Sequence, residues 1–180
     1  MDTYIALLRG INVGGRNVLR MKELRALLEG LGLQDVRTYI QSGNVVFQSE
    51  EADAAGLASE ISAAIEASHG FEPRVLVLPR EEVERAMAAN PFSEAEAEPK
   101  RLHLNFLASV PEDPDLEALQ ELKKESERFA LKGKVFYLHA PEGIGRSKLY
   151  TNAERALGVA MTGRNWRTVS KIMALAREAD

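Results

Sequence analysis

The chain of 180 residues has no cysteine. That excludes disulfides, thiolate metal sites and cysteine nucleophiles, and gives no sign of an oxidising compartment. No apolar run approaches the ~20 residues of a membrane span. The start, Met1-Asp2-Thr3-Tyr4, lacks the basic stretch of a secretion signal. A soluble, cytoplasmic protein without a membrane partner is therefore expected. Histidines are few, and His69, His103 and His139 lie far apart with no metal-ligand spacing nearby. Ser42 and Ser147 lack a G-x-S-x-G elbow, and no paired-carboxylate site can be named. Aromatics are also scarce: "SGNVVFQS" offers one Phe where an RNA-reading sheet would carry several. Neither a metal nor a cofactor is called for.

What is present is an uneven charge. Residues 1–49 hold 6 basic and 4 acidic side chains, 50–99 hold 3 and 12, and 100–180 hold 14 and 11, which together make −4. That total argues against a general nucleic-acid coat. It leaves room for one local anion site, because fields act within a Debye length of about 8–10 Å.

Hydrophobic periodicity gives the elements. Tyr4 to Leu8 reads as a strand, and Met21, Leu24, Leu27, Leu28 and Leu31 as a helix face closed by Gly32. Residues 36–48 read as a hairpin around Gln41-Ser42-Gly43-Asn44. Leu57, Ile61, Ala64, Ile65 and Ser68 form a second helix face, and Arg74 to Leu78 a fourth strand. This is the split βαβ, ferredoxin-like order. Further on come a helix over 81–89, an acidic exposed segment at 92–100, and a strand of alternating polarity over 102–108. A helix with Leu116, Leu119 and Leu122 inward follows, then a hairpin about Lys132-Gly133 and a short helix near 153–157. The last helix carries Trp166, Val169, Ile172, Met173 and Ala176 on one stripe. We expect an α+β fold of two ferredoxin-like subdomains packed together, residues 1–80 and 81–180, the second ending in the C-terminal helix.

Four clusters combine glycine, amide and cation. Arg9, Gly10, Asn12, Gly14 and Gly15, followed by Arg16, leave a strand. Their glycines let backbone amides approach a phosphate, or simply make a turn. Gln41, Ser42 and Asn44 suit a hairpin turn by backbone preference, or a second wall of the same site. Gly143-Ile144-Gly145-Arg146-Ser147-Lys148 reads as an anion nest or as a loop with solvated charges. Finally, Asn165 is placed to cap the last helix, with Arg164, Arg167 and Lys171 on one polar stripe. That helix start is either an anion site or an ordinary cap beside a core tryptophan.

The segments "YIALLRGINVGG", "DVRTYIQSGNVVF", "RSKL" and "TGRNWRTVSKI", in this order and at these distances, resemble an uncharacterised, mostly bacterial family, domain of unknown function 1697. The resemblance runs from Tyr4 to about Leu175 and implies a two-part α+β fold with ferredoxin-like subdomains. It supplies no reaction, cofactor or catalytic residue. The chain departs from the pattern at Gly163 and Arg167, where similar proteins more often carry a hydroxyl and a small polar residue.

Three functions fit. Arg9, Asn12, the 41–44 turn, Lys148 and Arg164 could line a cleft between the halves for a phosphate-bearing ligand, a nucleotide or a nucleic-acid end. Alternatively, a small metal-independent enzyme could act on an anionic substrate oriented by Asn and Ser, with Lys148 as electrophile or acid, although no general base is evident. Or the motifs could be structural, in a protein-interaction module.

Overall fold

The computed structural model describes residues 1–179. It divides into two compact units: Met1–Met87 together with the described residues from Lys171 onward, and Ala88–Ser170.

The first unit is built from β1 (Asp2–Arg9), α1 (Met21–Gly30), β2 (Gln34–Tyr39), β3 (Asn44–Ser49), α2 (Ala54–His69) and β4 (Arg74–Pro79), followed by α3 (Arg80–Ala88). Its sheet has the order β2-β3-β1-β4 with every neighbour antiparallel. Each helix thus joins strands separated by a third, as a split βαβ unit requires. Tyr4, Ala6, Leu8, Val45 and Phe47 pack under Leu24 and Leu28 of α1 and Leu57, Ile61 and Ile65 of α2. Ile5, Leu7 and Val46, on the opposite face, are buried too. That explains the unbroken apolar run of β1, because a strand covered on both faces has no polar side. The inner face of α2 is narrower than the spacing implied, since Ser68 is exposed and turns its hydroxyl back to Ala64 O.

The second unit follows α3 and a 3₁₀ turn (Ser93–Ala97). It comprises β5 (Leu102–Leu107), α4 (Leu116–Leu122), β6 (Arg128–Lys132), β7 (Val135–His139), α5 (Lys148–Leu157) and β8 (Met161–Asn165). Its sheet order, β6-β7-β5-β8, repeats the first with the same connections. The two ferredoxin-like subdomains are therefore both present. α6 (Trp166–Glu178) begins in the second unit and belongs from Lys171 on to the first.

Several sequence expectations need correction here. β5 does not alternate: all six of its residues are buried, His103 and Asn105 included. Leu116 is exposed, and Leu119 is the buried anchor of α4. α5 starts at Lys148 rather than near 153, because Ser147 caps it by accepting from Tyr150 N at 3.1 Å. β8 was not expected at all. It puts Arg164 in a strand, off the helical stripe of Arg167 and Lys171. Trp166 is only half-buried, whereas Val169, Ile172, Met173 and Ala176 are core.

Candidate functional site

In the first unit β1 delivers Arg9 into the loop 10–20, and the structure brings Ile11 and Asn12 of that loop beside the 41–44 turn, while no contact joins Gly14 or Gly15 to that turn among the described residues. Asn12 does most of the joining. Its Nδ2 donates to Gln41 O at 2.7 Å and Leu19 O at 2.9 Å, and its Oδ1 accepts from Leu19 N at 2.8 Å. Asn17 Nδ2 donates to Gly10 O at 3.0 Å. Asn44, buried, donates to Tyr39 O at 3.0 Å and Ser42 Oγ at 2.9 Å. Leu8 N donates to Gly43 O at 2.8 Å, and a Cβ on Gly43 would lie 2.6 Å from Leu8 Cβ. The amide side chains of Asn12, Asn17 and Asn44 are thus engaged with the chain itself.

The second unit is different. Where β5 begins, a cavity of about 590 Å³ opens. Its charged lining is Lys100, Arg101, Lys124, Arg146 and Glu142. Three connections meet there for a topological reason. Leu102, first in β5, pairs with His139, last in β7, so the chain entering β5 lies beside the loop leaving β7. Arg101 O accepts from Ala140 N at 2.9 Å and fixes that contact. Gly143 is required at this point: its φ is +86° and a Cβ would sit 2.5 Å from Arg101 Nη1, so the guanidinium lies over bare backbone. No carboxylate among the described residues forms an ion pair with the four cations, and Glu142 accepts from Ser126 Oγ at 2.6 Å.

His103 also lines the cavity. It is 7% exposed, and its Nε2 is buried with no hydrogen-bond partner among the described residues. Burial, then Arg101 and His139, push its pKa down to about 4, so the ring is neutral at pH 7. A buried polar atom left unpaired costs about 1–3 kcal/mol.

The remaining sequence candidates of this unit gather at the same end of the sheet. Asn165 stands opposite His103 in the β5–β8 ladder and caps α6, accepting from Thr168 N at 2.9 Å. Arg164 donates to Gly163 O at 2.9 Å, and burial lowers its pKa to about 10, still a cation at neutral pH. Ser147 is buried at the start of α5, and Lys148 beside it is exposed. The Gly163 departure has a local cause, since a Cβ there would collide with Asn105 Oδ1. Asn105 is fully buried and donates through Nδ2 to Phe136 O at 3.0 Å.

Sequence reasoning named the 143–148 loop but missed Lys100, Arg101, His103 and Lys124 as its companions. One signal was available: His103 and Asn105 stand two apart, on the sheet face that carries Phe136 and Leu138. That face packs under α4 and α5, where buried polar groups need a reason. Among the described residues no three His, Asp or Glu side chains gather as a metal would need. No helix is long and apolar enough to cross a membrane.

The model of the family described as "Protein of unknown function (DUF1697)" matches residues 1–137. The chain is also similar to a solved structure, that of the conserved bacterial protein SP0830 from Streptococcus pneumoniae. Identity is 28% and the TM-score 0.68, over 97% of this chain and 98% of that one. No curated protein matches.

Proposed function

We propose that this chain, which belongs to the DUF1697 family, holds a phosphate-bearing anionic ligand, a nucleotide or a nucleic-acid end, where β5 begins in its second unit. One observation carries the reading. Lys100, Arg101, Lys124 and Arg146 line one cavity together with the single carboxylate of Glu142, and no carboxylate among the described residues forms an ion pair with these four side chains. Cations held together repel, and an anion among them turns that repulsion into attraction. The Gly143–Gly145 backbone offers close approach to an anion. Lys148 and Arg164 add two further positive charges at the same end of the sheet, outside the cavity's lining, where Ser147 and Asn165 cap helices. In this reading the first unit's Arg9–Gly15 and Gln41–Asn44 motifs pin turns and are not contacts.

The test is calorimetric titration with inorganic phosphate, nucleotides, and oligonucleotides with and without a 5′-phosphate. Binding should depend on the phosphate and weaken as salt rises. Arg146→Ala, at an exposed position, should lower affinity about tenfold, the usual worth of a charge-assisted contact. Affinity unchanged in both Arg146→Ala and Lys124→Ala would contradict the reading.

A further inference from the structure

We infer that the ligand is a nucleoside diphosphate, its two phosphates among Lys100, Arg101, Lys124 and Arg146 and its base in the adjoining hollow beside Arg167; this rests on the phosphate reading above. Charge is the first argument. Four cations less Glu142 leave the cavity at +3, with His103 neutral. A diphosphate ester brings about −3, a monophosphate ester at most about −2. Size is the second. About 590 Å³ lies within the ~300–1,000 Å³ of small-molecule sites and exceeds what phosphate groups alone would fill.

The third argument is the neighbouring hollow of about 490 Å³, which shares Lys100 and Arg101 with the first. Pro99, Glu98 and Arg167 complete its lining, with mostly apolar atoms turned inward. A flat ring is suited to such a place, because guanidinium planes stack on bases and charged side chains lay apolar stems along them. The pair Lys100–Arg101, common to both hollows, is then the hinge between phosphate and base.

The experiment titrates the full chain with adenosine and uridine di- and monophosphates, inorganic pyrophosphate and geranyl diphosphate, at fixed salt. A nucleoside diphosphate should bind at least tenfold more tightly than its monophosphate and than pyrophosphate. Arg167→Ala, at an exposed position, should weaken the nucleoside diphosphate several-fold and leave pyrophosphate unchanged. Equal affinity for mono- and diphosphate, or tighter binding of geranyl diphosphate, would overturn this inference while leaving the phosphate reading standing. Failure of every phosphate compound to bind would overturn both.

Discussion

Both sheets are wound in the same order, and in each the first residue of the opening strand pairs with the last of the third: Asp2 with Ser49, Leu102 with His139. The two units therefore have equivalent ends, and those ends carry opposite charge. The first holds Asp2, Glu50, Glu51 and Asp53 around the start of β1 and the β3–α2 connection. There the Tyr4 hydroxyl is pushed up by burial and then by Asp2, Glu51 and Glu81. The second holds Lys100, Arg101, Lys124 and Arg146. Topology decides which connections meet, and the residues in those connections decide what the meeting place can bind. The units also differ in how polar groups are employed. At the far end of the first sheet, Asn12 and Asn44 are spent on main chain. In the second unit, Lys100, Arg101, Lys124 and Arg146 have no ion-pair partner and the buried His103 Nε2 no hydrogen-bond partner among the described residues.

Changes to the first unit's turns should act on stability alone. Gly43→Val asks a branched residue to take φ +84° and to share space with Leu8 and Ile11. Left-handed backbone and overpacking together put the loss at about 3 kcal/mol or more, read by urea unfolding. Asn12→Ala removes three hydrogen bonds. A loss of about 2 kcal/mol is expected, with phosphate affinity unchanged. An affinity loss in Asn12→Ala at full folding would break the comparison.

His103 supplies a pH test of the second unit. Its pKa is near 6.5 unfolded and about 4 folded, so between these values the unfolded state binds the extra proton. Stability should be insensitive to His103 above pH 6.5 and fall as pH drops toward 4. At pH 5 the loss is about 2 kcal/mol, at ~1.4 kcal/mol per pH unit. Comparing His103→Asn with the parent by urea unfolding at pH 7 and pH 5 isolates this slope. An identical slope in both proteins would show that His103 is not held neutral. The smallest effect is expected at Gly163. Gly163→Ala should cost about 1–2 kcal/mol by overpacking against Asn105, and Asn105→Ala should relieve part of it. Simple additivity of the two would refute the contact.

Most of the fold was legible in the sequence because its elements obey local rules. β1 and β4 are built on continuous apolar runs, β3 holds Val45-Val46-Phe47 after a turn, α1 and α6 carry stripes, and Gly133 marks a hairpin at φ +57°. β8 was not legible. Met161–Asn165 contains Gly163 and three polar residues, and becomes a strand through its register with β5. His103 and Asn105 simulate an alternating, half-solvated strand, and only the helices packed over that face reveal them as buried. The site was half legible for a related reason. Glycines and cations at 143–148 are contiguous, but Lys100, Arg101 and Lys124 join them only because antiparallel pairing brings the two connections to the same end.

The most direct measurement is an amide NMR titration of the full chain with inorganic pyrophosphate. The account predicts shifts concentrated at Lys100–His103, Lys124 and Gly143–Arg146, with Gly10–Asn17 and Gln41–Asn44 silent. Shifts confined to Gly10–Asn17 and Gln41–Asn44, with the β5 entry and the 143–146 loop unmoved, would contradict it.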